Sequence, residues 1–368
     1  MRRIALSVAA TTMTLSLAGC GMLNATGDSS DASPTRGNDV TVGVLMPEKT
    51  NTRYSQFDYP IMRDRISELT KKQGKTVYAN ADASLKKQIR QMQQMIDDKV
   101  DLIVLDAVDS HGIAPMVKKA KEAGIPVIAY DRLAEGPIDA YASFDNELVG
   151  EVQARTLLGA LGPQADTSDK VVMINGSSTD PNSAQFKEGA LSELNGKVTI
   201  ADSYDTPAWD PKNAEKEMTK AINSIGKDNI AAVYSANDAM AGGIVDAFHN
   251  AGVTHLPPIT GQDAELPAVQ RIVSGEQYMS VYKPYPDLAQ AAAEMAVAKL
   301  QGRDIQFDSL TQDKVDSPTD KNIPAQLVTV NALTRQTIKS TVLADGIYKL
   351  DAICTPKLKA DCTAIGLK

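Results

Sequence analysis

Asp131 and Arg132 stand directly after the apolar run Val127-Ile128-Ala129-Tyr130, and polar residues at the end of an apolar run recur along the chain. Arg53 and Tyr54 follow the first such run, and Asp180 with Asn182 follow Val171 to Ile174. Asn237 and Asp238 follow Ile230 to Tyr234, Asp263 follows Ile259-Thr260-Gly261, and Lys283 follows Met279 to Tyr282. Trp209, the only tryptophan, lies in a polar loop after another run. Carboxylates accept hydroxyl protons, amides give and take, Arg and Lys donate, and aromatic faces cover C–H groups. Together they suit a polyol ring. Each residue also fits a plainer role. Asp180, Asp210 and Asp238 suit helix N-caps, where a carboxylate satisfies free amide N–H groups. Arg132 suits a pair with Asp131 or Asp263, and Trp209 suits packing against a lobe. Repetition at strand ends is what favours a binding site. Catalysis has no comparable signal, because the chain contains no Gly-x-Ser-x-Gly elbow and no phosphate-binding GxxxxGK[ST] loop. His111, His249 and His255 match no zinc spacing and read as surface or helix-end residues. No metal or cofactor is expected.

Residues of this kind need elements that bring distant segments together. Val42 to Met46, Thr76 to Ala79, Leu102 to Leu105 and Val127 to Tyr130 read as strands, and the last two are the continuous apolar runs of parallel strands buried on both faces. Between them Phe57 to Lys71, Leu85 to Asp97 and Pro115 to Ala123 read as helices. In the second of these Leu85, Ile89, Met92 and Ile96 share one face. The alternation restarts after Asn146, with helices at Glu147 to Leu161, Ala184 to Leu194, Pro211 to Ser224 and Ala239 to Asn250. The intervening strands are Val171 to Ile174, Val198 to Tyr204, Ile230 to Tyr234 and Pro258 to Thr260. Two consecutive βαβ series predict an α/β protein with two doubly wound parallel sheets and right-handed crossovers. Such sheets bind at the carboxyl ends of their strands, so two facing sheets offer a cleft lined by the residues above.

The ends of the chain carry different information. Arg2 and Arg3 precede an apolar stretch from Ile4 to Leu17, too short for a mature membrane span, and Leu17-Ala18-Gly19-Cys20 follows at once. That run looks like a bacterial lipobox, which predicts a lipoprotein signal peptide over 1–20 and lipidation of Cys20. Residues 21–39, rich in Ser, Asp, Gly, Thr and Pro, read as a flexible tether. The remaining stretch of about 330 residues suits two domains better than one core. A net charge of −8 argues against nucleic acid, whose phosphates call for a basic face. Cys354 and Cys362 are the only other thiols, and outside the cytoplasm so close a pair is expected to form a disulfide.

At the strand-end residues the chain becomes recognisable. Ala129-Tyr130-Asp131-Arg132-Leu133, Ser143-Phe144-Asp145-Asn146, Ser235-Ala236-Asn237-Asp238, Gly261-Gln262-Asp263-Ala264 and Val281-Tyr282-Lys283-Pro284 closely resemble the type I periplasmic sugar-binding proteins. The D-xylose-binding and multiple-monosaccharide-binding branches look most similar, over about 40–330, and Met46-Pro47-Glu48-Lys49 looks more like the latter. The resemblance implies two lobes joined by three crossings, near Asn146, Lys283 and Leu327. Residues 40–146 plus 284–326 would form the N-terminal lobe, and 147–283 plus 327–368 the C-terminal lobe with its disulfide tail. It implies hydroxyl hydrogen bonding by Arg53, Asp131, Arg132, Asp180, Asn182, Asn237, Asp263 and Lys283. Ring stacking falls to Trp209 and Tyr54, where relatives usually have a second tryptophan. The Cys354 to Cys362 segment lies beyond the usual family end. The implied function is capture of a monosaccharide such as xylose, glucose, galactose or arabinose by a monomer. It would pass the sugar to an ABC permease whose ATPase lies on separate chains, outside the cytoplasm and held to the membrane only through Cys20. A sugar sensor for chemotaxis or signalling is the alternative within the binding class. A repressor-like sugar-binding core is more remote, since the chain starts with an export-type segment in place of a helix-turn-helix.

Overall fold

The computed structural model describes residues 35–368. The signal segment, Cys20 and most of the expected tether lie outside the described residues. Arg36 to Asn38, which composition assigns to the tether, are fastened to the body. The Arg36 amide donates to the Leu300 carbonyl at 2.7 Å, its guanidinium pairs with Asp101 at 3.1 Å, and Gln301 Nε2 donates to Asn38 Oδ1 at 2.9 Å.

The chain first builds strands β1 (Thr41–Met46), β2 (Lys75–Asn80), β3 (Leu102–Leu105), β4 (Val127–Tyr130) and β5 (Ala140–Phe144), alternating with helices α1 (Tyr59–Leu69), α2 (Leu85–Asp97) and α3 (Ala114–Glu122). It then passes through α4 (Asn146–Leu161), β6 (Lys170–Asn175), α5 (Pro181–Leu194), β7 (Thr199–Asp205), α6 (Pro211–Ile225), β8 (Ala232–Ser235), α7 (Asp238–Asn250), α8 (Leu266–Ser274) and β9 (Ser280–Tyr282). α9 (Tyr285–Leu300), β10 (Asp313–Val315) and β11 (Ile323–Val328) follow, and β12 (Asn331–Leu333) closes the strand series. The first sheet runs β10-β11-β5-β4-β3-β1-β2, parallel throughout except for the antiparallel edge strand β10. The second has β7-β6-β8 in parallel. Thr260 N donating to Val233 O at 3.1 Å and Val281 N donating to Gly261 O at 2.9 Å continue it through 258–263 to β9, against which β12 lies antiparallel. The chain therefore leaves the first sheet after β5, returns after β9, and leaves again after β11.

Helix starts follow ordinary capping. Ser84, Asp145, Asp180, Asp210 and Asn237 each accept a first-turn amide with the side chain. Asp210 thus takes the plainer role considered for it. Asp238 does not cap; it lies inside the first turn of α7, one place after the Asn237 cap. On α2 the buried face is Gln88, Met92, Met95 and Ile96, rotated from the expected stripe, and Leu85 and Ile89 pack at its margin. Gln88 earns its place by donating to Asp106 O at 2.7 Å and accepting from Val108 N at 2.9 Å, which fixes the loop after β3.

In the second lobe α4 and α5 cross with their backbones in contact. A Cβ on Gly150 would collide with the Phe186 carbonyl, and one on Gly189 with the Glu147 carbonyl. Only glycine permits that approach. The C-terminal tail belongs to this lobe, since Ile338, Val342, Ile353 and Cys362 pack with Val269, Ile272 and Val273 of α8. Cys354 and Cys362 are joined there as a disulfide, with Cα atoms 5.9 Å apart. His111, His249 and His255 are all exposed.

Candidate functional site

The residues that the sequence singled out at strand ends converge on one cleft between the lobes, except Asp238, which is buried behind it against Gln277, Ser280 and the Glu265 amide. Arg53, Tyr54, Asp131 and Arg132 approach from the first lobe; Asp180, Asn182, Trp209, Asn237 and Asp263 from the second; Lys283 stands at the return crossing. They enclose about 30 Å3.

Local backbone explains how they reach the cleft. A single π-helical turn, Tyr54–Asp58, follows β1 and leads into α1, turning Arg53 and Tyr54 inward. Asp131 has φ +60° and Asp263 φ +94°, left-handed conformations that Asp tolerates better than most residues, and both occur just past a strand. The Asp131 carbonyl is held by Tyr141 and Ser143 hydroxyls, each at 2.7 Å, and by Asn182 Nδ2 at 2.9 Å. Trp209 also has positive φ, at +57°, and its ring lies so close over Gly176 that any side chain there would displace it. Its ring edge meets Phe186 with centroids 6.2 Å apart, and its indole N–H donates to Asp180 Oδ2 at 3.2 Å. Trp209 therefore packs and borders the cleft at once.

Cross-lobe pairs close the site. Arg132 Nε lies 2.8 Å from Asp180 Oδ2, so its partner is neither Asp131 nor Asp263. Arg53 Nη2 lies 2.6 Å from Asp131 and Nη1 3.8 Å from Asp263. Asp263 also takes Lys283 Nζ at 2.7 Å and Asn51 Nδ2 at 2.9 Å. Asp180 keeps its second oxygen for the Asn182 amide at 2.9 Å, so it caps α5 and faces the cleft together. The Arg53 guanidinium is framed by Tyr54, Phe144 and Tyr285 at 5.1, 5.5 and 5.0 Å from its carbon, a cation among ring faces.

Three cationic side chains, Arg53, Arg132 and Lys283, thus stand against three carboxylates that touch them in the cleft, Asp131, Asp180 and Asp263. Burial works to raise the Asp131 carboxyl, but Arg53, Lys283 and Arg132 outweigh it and hold the group below its ordinary range. For Arg53 burial works downward, and Asp131 with Asp58 reverses it, keeping the guanidinium charged. Burial wins at Asp180, whose carboxyl is raised despite Arg132. Behind the cleft lie two further acids that the sequence did not single out. Asp58, bound by Arg53 Nε at 2.9 Å, is pushed up by burial to about 6. Asp106 is fully buried, neither of its oxygens has a hydrogen-bond partner among the described residues, and burial followed by Asp131 raises it far above the usual range.

Four other lining residues are passed over in the strand-end reading: Phe186; Glu48 and Asn51, which lie between β1 and Arg53; and Gln262, which directly precedes Asp263. Phe186 was detectable, four residues after Asn182 and so on the same face of α5. Glu48 receives the Asn51 amide at 3.1 Å, which shapes the loop that carries Asn51 to Asp263. Among the described residues no helix is long and apolar enough to cross a membrane.

Residues 42–304 match the family model described as a periplasmic binding protein domain. The D-xylose-binding periplasmic protein of Escherichia coli K12 is 34% identical over 317 residues, 84% of this chain and 92% of that protein. A multiple sugar-binding periplasmic receptor of Rhizobium radiobacter is 30% identical over 332 residues, 85% of this chain and 92% of its own. Among solved structures, an ABC transporter solute-binding protein of Clostridium phytofermentans with bound β-D-glucose superposes with a TM-score of 0.75 at 25% identity. That match covers 85% of this chain and 99% of that one.

Proposed function

The chain belongs to the type I periplasmic sugar-binding family, and on that premise we propose that it captures one neutral monosaccharide between its lobes and delivers it to an ABC sugar permease. The observation that carries this reading is the ring of buried donors and acceptors, drawn from both lobes and flanked by Trp209, Phe186 and Tyr54. Its three cations are each paired with a carboxylate and Glu48 adds a fourth acid, so the ring has no use for an anionic ligand. It suits hydroxyls, each of which can accept a hydrogen bond from an Arg or Lys and donate one to a carboxylate. A sugar entering the cleft takes over groups that now pair with one another, so its hydroxyls must lie between Arg132 and Asp180 and between Lys283 and Asp263. Because the Arg132–Asp180 and Arg53–Asp263 pairs span the lobes, the sugar binds the closed arrangement better than an open one, and this difference is what drives closure. The closed form is what a permease would recognise.

The test is a thermal-shift screen of xylose, glucose, galactose, arabinose, ribose and fructose. A native-state ligand at a hundredfold excess over Kd adds roughly 2.7 kcal/mol, which should raise Tm by several degrees at about 2 to 4 °C per kcal/mol. Trp209, as the only tryptophan, gives a fluorescence titration of the same event. A panel in which no sugar shifts either signal sinks the reading.

Two finer features go with it. Lipidation of Cys20 is supported by the Leu17-Ala18-Gly19-Cys20 run after an export-type segment. Cys20→Ala is expected to move the protein from the membrane to the soluble fraction, and a wild-type protein found soluble with a free thiol at Cys20 refutes the anchor. The Cys354–Cys362 bridge staples the tail that covers α8. Closing so short a loop adds on the order of 2 kcal/mol. Non-reduced, denatured protein should show no free thiol at either position; two titratable thiols there overturn it.

A further inference from the structure

Beyond Trp209 the cleft does not end. A second chamber of about 330 Å3 shares Glu48, Arg132, Asp180 and Trp209 with the first, so the two cavities meet along one seam. The contrast in size is informative. The lobes are drawn together tightly enough to leave the inner cleft about 30 Å3, yet the outer chamber keeps about 330 Å3. The lobes meet beside it, where the Ser110 amide donates to the Thr179 carbonyl at 3.4 Å, while exposed Ala83, Ser178, Thr179, Pro207 and Ala208 leave the chamber open to solvent on its outer side. What keeps it hollow is its lining: Ala83, Ser177, Ser178 and Ala208 are all short. Ala83 and Ala208 hold positive φ, at +58° and +57°.

The chemistry of that lining is amphiphilic. Ser177, Ser178 and Thr179 line it together with apolar Leu85, Val108 and Pro207, and the acids present are Glu48, Asp109 and Asp180. Hydroxyl-bearing rings with apolar faces suit such walls, and anionic groups do not, because the one cation of the chamber, Arg132, is already committed to Asp180 at 2.8 Å.

We propose that the protein also accepts neutral sugars with a second glycosyl unit, one unit in the inner cleft and its O-linked neighbour in this chamber beside Trp209. The inference rests on the monosaccharide reading of the inner cleft. Isothermal titration of the full chain with the six monosaccharides of the screen and with xylobiose, cellobiose, maltose, lactose and sucrose tests it. At least one disaccharide should bind within about tenfold of the monosaccharide. Ser178 is exposed and lies outside the inner cleft, so Ser178→Phe fills the chamber with little threat to folding. In that variant the disaccharide should lose about tenfold or more, as steric exclusion from a pocket does, and the monosaccharide less than about twofold. Monosaccharide binding without any disaccharide binding overturns the proposal, and so does an equal loss of both sugars in Ser178→Phe. Silence from every sugar overturns the monosaccharide reading itself, and this inference falls with it.

Discussion

Asp263→Ala is expected to weaken sugar binding by about thirtyfold or more, the largest loss of affinity from any single acid in the cleft. Asp263 is the only carboxylate of the cleft lining that meets two of its cations, Lys283 at 2.7 Å and Arg53 at 3.8 Å, and it also takes Asn51 at 2.9 Å. Lys283 and Arg53 are each 3% exposed, so neither can turn to water when the carboxylate goes. Leaving a buried charge unpaired typically costs on the order of 2 to 5 kcal/mol of binding, and the lower end is the thirtyfold figure. Asp263→Asn separates charge from shape, since Asn tolerates positive φ and can still accept from Lys283. It should fall between wild type and the alanine variant in calorimetric titration. An alanine variant that binds as tightly as wild type removes Asp263 from the site.

The largest effect on stability is expected from Arg53→Met. Met preserves volume among the three rings but strips the partner from Asp58, which is 0% exposed, and from Asp131. Breaking a buried pair from one side costs on the order of 3 to 5 kcal/mol, so Tm should fall by roughly 10 °C. The deficit should depend on pH. A carboxyl whose folded pKa exceeds its unfolded value holds its proton more tightly when folded. The stability it adds is complete below the unfolded value and is lost as pH rises through the folded one. Burial already lifts Asp58 from 3.8 to about 6 against the pull of Arg53. Without Arg53 that value climbs further, and Asp131 loses the main influence that holds it low. Relative to wild type, the variant should therefore be weakest near pH 8 and recover much of the loss near pH 5. A deficit of the same size at both pH values contradicts this account of the Asp58 and Asp131 carboxyls.

The parts of the fold that are legible in the sequence are those with local periodicity. Continuous apolar runs such as Leu102 to Leu105 announce doubly buried strands, and the residues after them mark the cleft. The segments without such a signal depend on partners far away along the chain. Ala140–Phe144 is a central strand that reads only as a motif, because it pairs with β11 nearly two hundred residues on. α9 is an alanine-rich helix, buried on most of its faces, and shows little periodicity. At the site, Asp106 directly follows β3, so the strand-end rule applies to it as it does to Asp131, although its role is hidden until its burial is known. Glu48 and Asn51 lie between β1 and Arg53, within reach of the same rule, but what selects them is the packing of one lobe against the other, which brings Asn51 to Asp263.

The glycine crossing of α4 and α5 has a mechanical meaning for the whole site. α4 begins at the first passage between the lobes, and α5 holds Asn182 and Phe186 on its first turns. With Gly150 and Gly189 seated against the opposite backbone, no compliant side chain lies at that joint. The two helices form a stiff lever, and hinge rotation reaches Asn182 and Phe186 with little angular play. Telling one epimer from another means resolving where a single hydroxyl points, a tolerance smaller than a bond length. Gly150 and Gly189, which have no side chain and lie outside the cleft lining, fix the lever that would carry that tolerance.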